Sequence, residues 1–120
     1  MKKVLIPEDN DINFMLFVEI LKDMDIELVQ VRNGVEAIEY CKLNPDVSLI
    51  LMDINMPIMN GEEAAVIIKQ MYPDIPIISQ TAYGVYGTVS EENKCCFKCF
   101  IKKPINIHEL KKVINDILFI

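Results

Sequence analysis

Ser48-Leu49-Ile50-Leu51-Met52-Asp53-Ile54-Asn55-Met56-Pro57 carries an unbroken apolar run that ends on an acid. A strand with one face in water alternates apolar and polar residues. A continuous run such as Leu49 to Met52 needs cover on both faces, as in a parallel sheet between helix layers. Three other short apolar runs also end on reactive polar residues. Val4-Leu5-Ile6 leads to Glu8-Asp9, residues 75–78 lead to Thr81, and Phe100-Ile101 leads to Lys103-Pro104. Open parallel sheets bind ligands beyond the carboxyl ends of their strands, where the strand order reverses. Acids delivered there by different strands converge although they are far apart in sequence. Three acids, a hydroxyl and a lysine form a set able to hold a divalent cation and a phosphoryl group.

Outward from that run, the periodicity alternates between strand and helix. Residues 3–6 read as a buried strand. Residues 11–24 read as a helix with Ile12, Met15, Leu16, Val18 and Leu21 at helical spacing, capped by Asn10 or Asp11. Residues 28–31 form a second strand, and Asn33-Gly34 opens a helix over 35–43 that Asn44-Pro45-Asp46 stops. Asn60-Gly61 leads into a helix over 62–71, and 76–79 form the fourth strand. Residues 84–95 are poor helix formers because of Gly84, Gly87, Thr88 and Val89. A fifth strand over 97–101 precedes an amphipathic helix over 107–118, with Ile107, Leu110, Val113, Ile114, Ile117 and Leu118 at core spacing. Five strands alternating with five helices imply right-handed crossovers and one α/β domain covering residues 1–120.

Composition excludes several functions. The net charge of −6 disfavours direct nucleic-acid binding, which needs clustered Lys and Arg. No apolar stretch approaches the roughly 18 residues needed to cross a bilayer, so no membrane contact is expected. Met1-Lys2-Lys3 is followed only by a short apolar run and then Pro7-Glu8, which is no secretory signal, so a cytoplasmic location is expected. Cys96 and Cys99 form a C-x-x-C, readable as half a zinc site or a redox pair. It precedes a strand rather than opening a helix, and His108 is the only histidine. Cys41, Cys95, Cys96 and Cys99 are therefore read as reduced structural thiols.

The chain resembles the receiver domain of two-component response regulators across essentially its whole length. The resembling motifs are Val-Leu-Ile-Pro-Glu-Asp-Asn at 4–10, Leu-Met-Asp-Ile-Asn-Met-Pro at 51–57, Gly61, Thr81-Ala82 and Lys103-Pro104. The resemblance implies a flavodoxin-like, doubly wound sheet of strand order 2-1-3-4-5. It further implies that Asp53 accepts a phosphoryl group from a phosphohistidine. Glu8 and Asp9 then match the acid pair that, with Asp53 and the backbone carbonyl of Asn55, holds Mg²⁺. Clustered acids repel and need a cation to coexist ionised, and Mg²⁺ suits a site of one or two carboxylates plus phosphate oxygens. Thr81 matches the switch hydroxyl, Ala82 a small neighbour that leaves room for the phosphoryl group, and Lys103 the lysine that pairs with Asp53 and then with phosphate. The Lys103–Pro104 bond is implied to be cis. Phe100 matches a switch aromatic, and a Phe buried beside the last helix is an equally good reading of it.

Partners implied by the resemblance are a histidine kinase or a histidine phosphotransfer domain, docking on the first helix near Asn13, Phe14 and Phe17. A phosphorylation-dependent dimer is compatible with it. The Glu8-Asp9-Asn10 pattern with Asn13 looks like receivers attached to hybrid sensor kinases, which favours a piece of a longer kinase over a single-domain regulator. Such a domain catalyses only its own phosphorylation and dephosphorylation. Two departures stand out: Pro7 should mark the end of the first strand, and Cys96 occupies a glycine position and is expected to strain its turn. Two rival readings remain. An aspartate-dependent phosphohydrolase would carry an acid where Asn55 stands and would place the motif on its first strand. A pseudo-receiver would keep the fold as an interaction module without the chemistry.

Overall fold

The central apolar run becomes the middle of a five-stranded parallel sheet. The computed structural model describes residues 1–81 and 89–119. In chain order the elements are β1 (Lys2–Pro7), α1 (Asp11–Leu21), β2 (Ile26–Val31), α2 (Gly34–Leu43) and β3 (Leu49–Asp53). They continue with α3 (Gly61–Met71), β4 (Ile77–Thr81), a short 3-10 helix (Glu91–Cys96), β5 (Cys99–Lys102) and α4 (Ile107–Leu118). The strand order is β2-β1-β3-β4-β5, with every pairing parallel. This is the flavodoxin-like doubly wound arrangement, and the order reverses between β1 and β3.

All five residues of β3 are buried, because each face meets a helix layer. Ile50 and Met52 pack with Ala37, Ile38, Cys41, Ala64 and Ile68 from α2 and α3. Leu49 and Leu51 pack on the other face with Phe17, Ile20, Leu21, Leu110 and Ile114 from α1 and α4. Each α-helix opens on an asparagine cap. Asn10, Asn33, Asn60 and Asn106 accept from the N–H of Asn13, Glu36, Glu63 and Glu109 respectively. Such caps satisfy helix N–H groups that have no partner within the helix. Because every strand pairing is parallel, the α-helices among the described residues start at the carboxyl end of the sheet.

Pro7 is the last residue of β1, paired with Val31, as its missing N–H requires. α1 departs from the expectation in length and in face. It ends at Leu21 rather than 24, and it buries Phe17, Ile20 and Leu21. Ile12, Met15 and Leu16 are 76%, 66% and 50% exposed, and Val18 is also exposed. The helix is apolar nearly all round, so spacing alone fits two stripes, and packing selects the one through Phe17. Ile107 is likewise half-exposed, on the first turn of α4.

Among the described residues of 84–95 the helical part is the 3-10 helix alone. It is held from outside: the Glu62 carboxylate on α3 accepts from the Ser90 N–H and hydroxyl and from Asn93 Nδ2. Cys96 closes this helix without a positive φ. Among the described residues the left-handed non-glycine one is instead Ile58, at φ 71°, in the loop between β3 and α3.

Candidate functional site

β1 and β3 end side by side at the point where the sheet order reverses, and this brings the acids together. Ligand oxygens of Glu8, Asp9 and Asp53 all lie within 4.8 Å of one another. Glu8 and Asp53 are 1% and 5% exposed, whereas Asp9 faces solvent. From just beyond β5, Lys103 Nζ reaches Asp53 Oδ1 at 3.4 Å, and the Asn55 N–H donates to the same oxygen at 3.3 Å. Thr81 closes β4, its Cα paired with that of Lys102. Ala82 lies outside the described residues. The Lys103–Pro104 peptide is cis.

The electrostatics are those of an anion cluster lacking enough positive charge. Burial, then the charge of Asp53, pushes the Glu8 carboxyl up to about 7. Asn10 donates its N–H to Glu8 Oε2 at 3.3 Å. Glu8 Oε1 accepts from no donor among the described residues although it is fully buried. A buried carboxylate oxygen without a donor, facing two further carboxylates, fits a hard divalent cation bound through oxygen. The residues present therefore suit Mg²⁺.

A carboxyl whose folded value lies above its ordinary 4.5 stabilises the fold fully below that value. The contribution disappears as pH rises through about 7. Glu8→Gln should therefore match the wild type in unfolding free energy at pH 4. At pH 8 in chelator it should exceed it by on the order of 1–3 kcal/mol. Mg²⁺ should close that gap at pH 8 by stabilising only the wild type. Equal midpoints for the two proteins in chelator at pH 8 would contradict this account of the cluster.

Two glycines seat the loop that follows Asp53. A Cβ on Gly61 would overlap the Asp53 carbonyl oxygen and lie 2.7 Å from Met52 Cγ. A Cβ on Gly34 would lie 2.8 Å from Met59 O, which accepts from the Gly34 N–H. Gln30 and Arg32 on and after β2 also touch the site, donating to the carbonyls of Glu8 and Asp9. Sequence reading missed both, because the groups they bind are main-chain carbonyls.

Phe100 is half-exposed on β5, opposite Ser79, with its ring centroid 5.4 Å from that of Phe97. It is therefore not buried beside α4. The C-x-x-C does not form a unit. Cys96 packs with the α2–α3 core and Cys99 with the α1–α4 core on the opposite face of the sheet. All four cysteines are free.

Comparison with known proteins agrees with this geometry. Residues 4–115 match the family described as the response regulator receiver domain. The chain is 32% identical to the polar-differentiation response regulator DivK of Brucella anthropi, over 98% of this chain and 96% of that one. It resembles the receiver domain of a signal transduction histidine kinase from Syntrophus aciditrophicus (28% identity, TM-score 0.88), covering 98% of this chain and 90% of the other. It also resembles the receiver domain of Ssk1 from Saccharomyces cerevisiae, crystallised with the histidine phosphotransfer protein Ypd1 (28% identity, TM-score 0.81; 97% and 88% covered).

Proposed function

This chain belongs to the response regulator receiver domain family, and we propose that Asp53 takes a phosphoryl group from a phosphohistidine in a Mg²⁺-dependent reaction. Receiver domains are signalling modules, and this one acts on no external substrate. The observation that carries the reading is the buried Asp53 carboxylate, gathered with Glu8 and Asp9 within 4.8 Å and facing Lys103 at 3.4 Å. In the transfer an Asp53 oxygen forms the new bond to phosphorus. The phosphorus–nitrogen bond of the donor breaks, and its electron pair returns to the imidazole. Glu8, Asp9, Asp53 and the Asn55 carbonyl would hold Mg²⁺, which neutralises phosphoryl oxygens and aligns them for in-line attack. Lys103 exchanges its carboxylate partner for a phosphoryl oxygen. Thr81 donates its hydroxyl to another, and Phe100 leaves its half-exposed position as β4 and β5 adjust.

The donor would be a histidine kinase or a histidine phosphotransfer domain in the cytoplasm. Its docking surface would be the exposed apolar face of α1, through Ile12, Met15 and Leu16. Phe17 belongs to the core and takes no part. The complex of the similar Ssk1 receiver with Ypd1 supports a helical phosphotransfer partner.

The test is intact mass after incubation with an acyl phosphate, with and without Mg²⁺, beside Asp53→Asn. A single phosphoryl adduct that needs both Mg²⁺ and Asp53 is expected. A folded, Mg²⁺-binding protein that gains no adduct from either the acyl phosphate or a phosphorylated phosphotransfer domain would indicate an interaction module instead.

A further inference from the structure

We infer that Gln30 and Arg32 are positioning residues that hold the acid pair Glu8-Asp9 in the geometry of a cation site, an inference that rests on the Mg²⁺ reading above. β1 stops pairing at Pro7, and only one sheet-like bond continues beyond it, from the Glu8 N–H to Val31 O at 2.9 Å. Beyond that bond the acid-bearing segment has no further strand partner among the described residues. Side chains from β2 and the residue after it take over. Gln30 Nε2 donates to the Glu8 carbonyl at 2.9 Å and to Asp11 Oδ1 at 3.2 Å. Arg32 Nη1 donates to the Asp9 carbonyl at 3.4 Å, and Nη2 donates to Asp11 Oδ1 at 2.6 Å. Arg32 is itself anchored, its backbone N–H donating to Glu36 Oε1 on α2 at 2.8 Å.

Both acids are thus gripped by their main-chain carbonyls from the β2 side, while their carboxyl groups meet Asp53 on the other side. Three carboxylates so close repel one another, and a loop free to spread would relieve the repulsion by separating them. Separation lowers the charge density that a cation needs. Groups that orient metal ligands from behind typically change metal affinity by about 10- to 100-fold when removed.

Arg32 makes the inference sharp, because its two possible effects have opposite signs. As a cation beside a cation site, its removal should tighten Mg²⁺ binding. As a clamp, its removal should weaken it. Gln30 carries no charge, so its removal tests the clamp alone. The Arg32–Asp11 ion pair is largely exposed. Such pairs contribute little to stability, so a change in Mg²⁺ affinity will not simply report unfolding.

The experiment is a calorimetric Mg²⁺ titration of the full chain as wild type, Gln30→Ala, Gln30→Met, Arg32→Ala and Arg32→Lys. Lys42→Ala serves as the control for loss of a surface cation. Thermal midpoints and backbone ¹⁵N relaxation of residues 8–11 in chelator are recorded alongside. Gln30→Ala and Arg32→Ala are expected to weaken Mg²⁺ binding by about 10-fold, with little change in midpoint and with faster motion of residues 8–11. Arg32→Lys should fall between, since it keeps the charge and loses the fork. Gln30 and Arg32 variants that bind Mg²⁺ as tightly as wild type, or more tightly, would overturn the inference alone. A wild type that takes no Mg²⁺ would overturn both the inference and the reading beneath it.

Discussion

Gly61→Ala is expected to lower stability by about 3 kcal/mol or more and to remove phosphoryl acceptance with it. Helix propensity alone predicts the reverse. Gly61 opens α3, and alanine is favoured over glycine in helices by up to about 1 kcal/mol. The overlap decides the sign. A Cβ there enters the Asp53 carbonyl oxygen and approaches Met52 Cγ to 2.7 Å. Neither neighbour has room to yield, because β3 is buried throughout and hydrogen-bonded on both edges, to β1 and to β4. The Gly61 N–H also donates to Ile54 O at 2.9 Å, which fixes the loop from the other side. Relief must come from displacing Asp53 itself, the residue whose placement the chemistry needs. Urea unfolding of the variant against wild type checks this, and an unchanged or raised midpoint would refute it.

Lys103→Met should separate binding from chemistry. Its ammonium faces Asp53 Oδ1 at 3.4 Å and is the cation the structure pairs with that buried carboxylate. In the proposed transfer it stabilises charge on the phosphoryl oxygens, and losing one such preorganised group typically costs about 10²- to 10³-fold in rate. The rate of adduct formation with an acyl phosphate should fall by that factor. Mg²⁺ affinity should hold or rise, since a cation has left the neighbourhood of the site. In chelator the variant should be destabilised by roughly 1–3 kcal/mol, because Asp53 keeps its burial and loses its partner. Wild-type phosphorylation rates in Lys103→Met would remove the lysine from the mechanism.

The sheet was legible because its information is local. Leu49 to Met52 announces two covered faces, and the acid that follows announces the strand end. Asn33-Gly34 and Asn60-Gly61 marked helix starts for the reason the caps show, since asparagine side chains satisfy the first free N–H groups. The acids and Lys103 were legible from their positions after strands. The buried face of α1 was not, because Ile12, Met15 and Leu16 are as apolar as Phe17 and Ile20. Only the packed sheet distinguishes one stripe from the other. Gln30 and Arg32 were invisible for a different reason. Their partners are backbone carbonyls more than twenty residues away, and carbonyls leave no mark in a sequence. The strain expected at Cys96 appears instead at Ile58, a β-branched residue whose side chain gives no hint of a left-handed backbone.

Gly61 and Glu62 are consecutive, and they face two different parts of the molecule. The first lies against the carbonyl of Asp53, and the second holds Ser90 and Asn93 at the start of the 3-10 helix. Their Cα atoms are joined by one rigid peptide of about 3.8 Å. A displacement of the Asp53 main chain that moves Gly61 therefore reaches Glu62 with no side-chain relay between them. The link from the chemical end of the sheet to the 3-10 helix on its flank is one peptide plane and one side chain, that of Glu62.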